Sequence, residues 1–366
     1  MRENAERLFN DHWKPFEAPF WSIEEKQGRY KKARIEFFLA NFIAGQIAGE
    51  VNLSKLFSEY KAFLKRRKFA DVRAELQELA RYGAIYRELV ERSADNPLGR
   101  FSRRLLPWDV TTVFPLVLRL WSDETIEDSE KSVCLDFLLS FVVRRAICGL
   151  TNKNYNKLFL SAVAHLDQHG WSAEKLVGFL SAQKSDIGRL PRDEEFEQRW
   201  IATPIYTSLQ PARARAILEE IELAKRGRFH ETTTLAPQLT VEHVLPREWA
   251  AHWPMPDGTA PSPFKILSAI VTFAEDDSMD GRIVRRERLK ETIGNLPLLT
   301  QPLNSSISNG PYAGKRTALQ DHSLLVLNRE ITQYEDWNED RILDRSRSLF
   351  PFARTIWAVP TAESGV

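Results

Sequence analysis

The chain has 366 residues, a formal net charge of +1 and two cysteines, and 43% of its residues are hydrophobic. This length leaves room for two domains, while the near-neutral charge excludes a protein that binds nucleic acid by bulk positive charge. The apolar runs are too short to cross a bilayer, and two cysteines without a Cys-x-x-Cys pair fit a reducing compartment, so we expect a cytoplasmic protein with no membrane segment.

Residues from about 30 to 182 show the periodicity of helices that pack on one another, with apolar residues at i, i+3, i+4 and i+7. The clearest stretch consists of Ile35, Phe38, Leu39 and Phe42. A buried helix is predicted to end at Gly149, and the next is predicted to begin at Tyr155 after the polar turn "TNKN". We therefore predict a helical domain over residues 1–185 that binds DNA, regulates cutting or contacts another domain.

The pattern changes around residues 183–200, where a polar, proline-broken stretch indicates a domain boundary. An amphipathic helix follows, and then come two short β segments, "LTVEHVL" and "GNLPLLT". The basic stretch "GRIVRRERLKET" between them is predicted to be helical. A final helix is predicted to be capped by Asp336 or Asn338. Residues 186–366 are therefore predicted to form an α+β domain.

Basic residues gather in five short clusters, at positions 65–68, 103–104, 144–145, 285–290 and 315–316. Clusters of this kind are more often the solvated face of a helix than a DNA contact. The sequence alone therefore assigns none of them to DNA.

The segment "TVEHVLPREW" places Glu242 directly before His243 at the end of a β segment. A histidine in such a place is more often a core residue than a catalyst. However, Asn295 opens the second β segment, and Asn304 stands nine residues after it. A short strand followed by a helix can bring Asn304 against the His243 strand. A carboxylate, an imidazole and a carboxamide would then share one cavity, with oxygen ligands for a hard divalent cation and a base for a water.

The order Glu-His-Val-x-Pro, Asn-Leu-x-x-Leu and a final Asn resembles the ββα-metal, or HNH, nucleases. More narrowly, "VEHVLPREW", "IGNLPLLTQPLNSSISNGPYAGKR" and the upstream "FVVRRAICGLTNKNYNKLF" are similar to the C-terminal half of the GmrSD-type modification-dependent restriction enzymes. The resemblance implies a mostly α protein with a small α+β part, in which a helical N-terminal domain precedes an HNH-like nuclease domain. It further implies a metal-dependent DNA endonuclease of a restriction-modification or phage-defence system, acting on foreign or modified DNA.

The resemblance also implies roles for individual residues. His243 is the general base that deprotonates a water, and Glu242 and Asn304 are ligands of one Mg²⁺ or Mn²⁺. Asn295 completes the catalytic set by holding the loop and orienting the histidine. The sequence departs from the usual pattern by having Glu instead of Asp at 242 and Asn instead of His at 304. The longer arm of Glu242 leaves open whether it binds the metal directly or through a water.

Lys315 and Arg316 sit where a positive group would bind the scissile phosphate, although an exposed helix charge is an equal alternative. Most of the tryptophans are expected to be core or domain-contact residues, with the alternative that Trp249 or Trp253 flanks the cleft and stacks on a base. Two rival functions stay open, a catalytically inactive DNA- or partner-binding module and an RNA-directed nuclease. Relatives begin with a nucleotide-hydrolysing region that carries Asp-Gly-Gln-Gln-Arg, a string absent here. We therefore expect a C-terminal fragment or a stand-alone half, with that region as a partner.

Overall fold

A computed structural model describes residues 6–227, 230, 234–272, 275–307 and 309–360. The chain divides into two compact units. The first consists mainly of the residues up to Val142 together with Thr151–Leu190, and the second of Val143–Leu150 together with Pro191–Ala358. The described residues are mostly helical and include few strands, so the prediction of a mostly α protein is confirmed.

The first unit contains, after the short helix Pro19–Ser22, a β-hairpin that the helical periodicity did not predict. Strand β1 (Glu24–Gln27) pairs antiparallel with strand β2 (Tyr30–Ala33). Gly28 adopts a φ of +58° in the two-residue turn, a conformation that favours glycine. The prediction of helix from about residue 30 is therefore wrong for the first four residues. The helix begins only at Arg34, where the Glu36 side chain accepts a hydrogen bond from the Ala33 amide.

The rest of the first unit is helical, and its core is rich in aromatic residues, with the Phe38 and Tyr86 ring centroids 5.5 Å apart. The predicted break near residue 150 is confirmed. One helix ends just before Gly149, which has a φ of +70°, and the next begins at Tyr155. The helices in this part of the chain are Pro19–Ser22, Arg34–Ile47, Leu56–Arg67, Val72–Glu91, Pro97–Leu105, Phe114–Ser122, Asp128–Ile147, Tyr155–His169 and Ala173–Ser181.

The second unit places two very short strands among helices. Strands β3 (Thr240–Val241) and β4 (Leu298–Leu299) pair antiparallel. The last helix is capped by Asn338, whose side chain accepts hydrogen bonds from two backbone amides, so the second of the two predicted caps is the one used. The helices of this unit are Asp193–Ala202, Ile205–Ser208, Pro211–Lys225, Pro263–Thr272, Met279–Leu289, Gln301–Ile307, Tyr312–His322, Val326–Thr332 and Glu339–Ile356.

Trp249, Trp253 and Trp337 lie together in one hydrophobic cluster of the second unit. The Trp249 indole donates to Glu287 (2.6 Å), and the Trp253 indole donates to the Trp337 carbonyl oxygen (2.9 Å). Both donors are buried, so the prediction that one of them stacks on a base is wrong. Their indole N–H groups instead satisfy buried acceptors. Among the described residues, no helix is long and apolar enough to span a membrane.

Candidate active site

The β3–β4 pair joins the two sequence motifs. The Thr240–Leu299 and Val241–Leu298 pairs continue in two further hydrogen bonds: Glu242 N donates to the Pro297 carbonyl (3.2 Å), and Val244 N donates to the Asn295 carbonyl (3.0 Å). The backbone on both sides of His243 is therefore tied to the segment that begins at Asn295.

Asn295 is fully buried, and all the hydrogen-bonding capacity of its amide group is used. Oδ1 accepts from the Leu245 amide (2.8 Å) and from the Trp337 indole (3.0 Å). Nδ2 donates to the carbonyl oxygens of Leu245 and Lys290, both at 2.8 Å. The side chain thus fixes the loop that follows His243 and has no group left for substrate. Asn295 itself lies in a 3₁₀ turn before β4 and not in a strand.

Two further features hold the Asn295 turn against the helix Glu339–Ile356. The guanidinium of Arg345 is completely buried and donates to the carbonyl oxygens of Gly294 (2.7 Å) and Leu296 (3.1 Å). Burial lowers the pKa of Arg345 to about 10, because the charged form loses hydration. A Cβ at Gly294 would overlap the Ile342 carbonyl oxygen, so only glycine allows this close approach.

The imidazole of His243 is paired with a carboxylate that the sequence motifs did not include. His243 is 5% exposed, and its Nε2 lies 3.2 Å from Oε2 of Glu291. The other carboxylate oxygen accepts from Nε of Arg247 (3.0 Å). The Tyr206 ring packs edge-on against the imidazole, with centroids 4.7 Å apart. These contacts hold the imidazole in one orientation.

The charge of Glu291 fixes the tautomer of the histidine. Burial alone would raise the pKa of Glu291, but the hydrogen bonds and charges of His243 and Arg247 outweigh it and lower the pKa below its ordinary value of 4.5. An ionised carboxylate only accepts hydrogen bonds, so the neutral imidazole carries its proton on Nε2. Nδ1 then keeps its lone pair, and no described residue forms a hydrogen bond with it. A base with this arrangement can accept a proton from a water.

Glu242 and Asn304 both lie beside strand β3. Asn304, in the helix Gln301–Ile307, donates to the Thr240 hydroxyl (3.1 Å), and its Oδ1 accepts no hydrogen bond from the described residues. Thr240 and Glu242 are two residues apart on an extended segment, so their side chains project to the same side. Asn304 therefore contacts the strand on the side of Glu242, and neither side chain forms a hydrogen bond with the imidazole in the described structure.

The donor chemistry fits a weakly held Mg²⁺ or Mn²⁺. Glu242 offers a half-buried carboxylate and Asn304 an amide oxygen, and oxygen donors are the ligands that such cations prefer. Within the described residues, no group of three or more His, Cys, Asp and Glu side chains is placed to hold a metal ion. Glu242 and Asn304 would supply two ligands of such an ion, and its other positions would be taken by water or substrate.

Lys315 and Arg316 are adjacent on the helix Tyr312–His322 but face different surroundings. Lys315 is 2% exposed; its Nζ donates to the His243 carbonyl (2.7 Å) and lies 4.0 Å from Oε1 of Glu242. Burial lowers the pKa of Lys315 to about 8, an effect that the nearby Glu242 opposes. Lys315 is therefore not an exposed helix charge. Arg316 is half-buried, and its Nε donates to the Thr332 carbonyl (2.9 Å).

The site thus brings a carboxylate-paired histidine, two oxygen donors and a buried lysine together around one short strand pair. Residues 190–351 match the family model of the C-terminal domain of the GmrSD restriction endonucleases. The likeness to the C-terminal half of GmrSD-type enzymes is therefore confirmed for this part of the chain. A restriction endonuclease cleaves DNA, so the match indicates a nuclease. No curated protein matches the chain.

Proposed function

We propose that the chain is a metal-dependent DNA endonuclease of the HNH kind that acts against foreign or modified DNA. The observation that carries the proposal is the His243–Glu291 pair, which leaves Nδ1 of the imidazole free to act as a base. The match of residues 190–351 to a restriction-endonuclease domain supports DNA as the substrate. In this proposal β3, β4 and the helix Gln301–Ile307 are the two strands and the helix of a ββα-metal core.

The proposed reaction is the hydrolysis of a phosphodiester. Nδ1 of His243 accepts a proton from a water, the water oxygen bonds to phosphorus, and the bond from phosphorus to the leaving oxygen breaks. Glu291 stabilises the imidazolium, because its carboxylate is 3.2 Å from the opposite ring nitrogen. Asn295 keeps the His243 loop in place through its four hydrogen bonds. The leaving oxygen takes a proton from water, and the imidazolium returns its proton to solvent.

The remaining residues would bind the cation and the phosphate group of the substrate. Glu242 and Asn304 would hold the cation, which supplies the positive charge that stabilises the developing phosphorane and its leaving oxygen. Lys315 adds a buried positive group 4.0 Å from Glu242 and steadies the backbone at His243. Arg316 would bind a phosphate through its terminal nitrogens, which have no hydrogen-bond partner among the described residues.

The proposal is tested with supercoiled plasmid incubated with the purified chain in Mg²⁺, in Mn²⁺ and in EDTA. Nicked or linear DNA should form with either metal and not in EDTA. His243→Ala should slow product formation by roughly two to four orders of magnitude, while His322→Ala, at an exposed histidine of the same unit, should not. An RNA of matched length, included in parallel, should stay intact. Intact plasmid under all metal conditions, or cleavage of RNA alone, would overturn the proposal.

A further inference from the structure

The helix Leu56–Arg67 and its flanking residues carry a strong local excess of positive charge. Between Lys55 and Arg73 the sequence has seven Lys or Arg residues and two Asp or Glu residues, although the whole chain has a net charge of +1. Such a local excess attracts a polyanion even when the protein as a whole is nearly neutral.

Part of this charge forms a row on the exposed surface of the helix. Phe57, Lys61 and Lys65 follow one another at intervals of four residues and so share one face, and Lys68 follows at the helix end. Phe57 is 74% exposed, and the Lys61 ammonium lies 4.8 Å from the centroid of its ring. We call these four residues the lysine stripe. Its three lysines are exposed and have no carboxylate partner among the described residues.

Three carboxylates on the neighbouring helix Val72–Glu91 and at its N-cap are engaged elsewhere. Asp71 accepts a hydrogen bond from the Ala74 amide (2.8 Å), which caps that helix. Glu75 accepts from the Tyr60 hydroxyl (2.5 Å). Glu78 pairs with Arg67 (3.4 Å), which is not part of the lysine stripe. These three carboxylates therefore do not neutralise the positive charge of the lysine stripe.

The basic clusters at 144–145 and 285–290 do not share this property. Arg144 is fully buried and pairs with Asp193 (2.7 Å). In the cluster 285–290, Arg285 pairs with Asp340 (2.7 Å), and other members pair with further carboxylates. These cations are used to hold the fold together, so they are poor candidates for a polyanion surface.

Stabilisation of the helix does not account for the lysine stripe. Cations in the last turn of a helix interact favourably with its dipole, which explains Lys65 and the residues after it. The effect fades within one turn. It therefore does not explain Lys61 in the middle of the helix or the exposed Phe57 in the first turn.

We propose that the lysine stripe binds the phosphate backbone of double-stranded DNA. Lys61 and Lys65 are about 6 Å apart along the helix axis, so each can contact a separate phosphate. The choice of DNA among polyanions rests on the proposed function. Contacts of this type fix the position of a protein on DNA without reading its sequence, and their affinity falls steeply with salt.

The test measures binding of the full-length chain to a fluorescent DNA duplex in EDTA, over a series of salt concentrations. The variant is Lys61→Gln with Lys65→Gln and Lys68→Gln. Its matched control is Lys157→Gln with Lys175→Gln and Lys184→Gln, which removes three exposed lysines from the same unit. We expect the variant to lose roughly tenfold or more in affinity and the slope of log affinity against log salt to fall by about 2 to 3, while the control changes little.

Cleavage of plasmid by the same proteins separates this inference from the proposed function. If the stripe variant and the control bind DNA with the same affinity while the unmodified chain cuts, the lysine stripe is not a DNA surface. The proposed nuclease activity is then supported on its own. If the stripe variant loses affinity but the unmodified chain never cuts, the lysine stripe is a DNA surface and the proposed nuclease activity is wrong. A matched RNA duplex that binds more tightly than DNA, and loses affinity in the variant, would overturn the assignment to DNA.

Discussion

Nε2 of His243 lies 3.2 Å from Oε2 of Glu291, although 48 residues separate the two in the chain. The carboxylate also accepts from Arg247, so one side chain orients the imidazole and is itself fixed in place. A base that is oriented in this way needs no rearrangement at the moment of proton transfer.

Glu291→Gln should lower the kcat of plasmid cleavage by roughly 10- to 1,000-fold while leaving KM almost unchanged, because the amide cannot stabilise the imidazolium by charge. The measurement is steady-state nicking kinetics beside a thermal melt. Glu248→Gln, at an exposed position nearby, is the matched control and should match the unmodified chain in both. A Glu291→Gln protein with normal kcat would show that the pair is only structural.

The pH dependence of stability should also reflect Glu291. Its pKa in the folded state is below 4.5, so its stabilising contribution is fully present above that value and is lost as the pH falls through the folded pKa. The difference in free energy of unfolding between the unmodified chain and Glu291→Gln should therefore be constant above about pH 5 and shrink below 4.5. Urea unfolding across this range measures it. A difference that grows towards low pH would contradict the assigned shift.

Asn295→Ala should destabilise the second unit and abolish cleavage together. The substitution leaves the buried Trp337 N–H and the Leu245 backbone groups without partners, at about 1 to 3 kcal/mol for each group left unsatisfied. Thermal unfolding measures the loss, with Asn309→Ala at an exposed position as control. An Asn295→Ala protein as stable as the control would mean that the four hydrogen bonds do not hold the loop.

Asn304→Ala should behave differently, since its side chain donates a single hydrogen bond, to Thr240, and is half-buried. We expect little change in melting temperature but a loss of cleavage that is largest at low Mg²⁺ and partly restored by high Mn²⁺, because removal of a ligand weakens ion binding. A metal titration of the cleavage rate checks this. If the variant and the unmodified chain have the same metal dependence, Asn304 is not a ligand.

Much of the framework could be predicted from local patterns. The helix break between Gly149 and Tyr155 and the cap at Asn338 depend on neighbouring residues, so the sequence carries their signals directly. The hairpin at Glu24–Ala33 was missed because its residues are charged and its pairing is set by a two-residue turn at Gly28.

The details of the site depend on contacts between distant residues and could not be predicted in the same way. Glu291 lies four residues before Asn295, but nothing in its spacing shows that it reaches His243. The burial of Lys315 could not be predicted from the sequence either, because a lysine followed by an arginine on a helix is usually solvated. Only the pairing of β3 with β4 brings these segments together, and no local pattern in the sequence shows that pairing.

Single-turnover cleavage by His243→Ala, with and without added imidazole, shows whether His243 removes the proton from the attacking water. The rate should fall by roughly two to four orders of magnitude, with DNA affinity unchanged, and free imidazole should restore part of it by entering the space beside Glu291. A His243→Ala protein that cuts DNA at the normal rate would show that His243 is not the base.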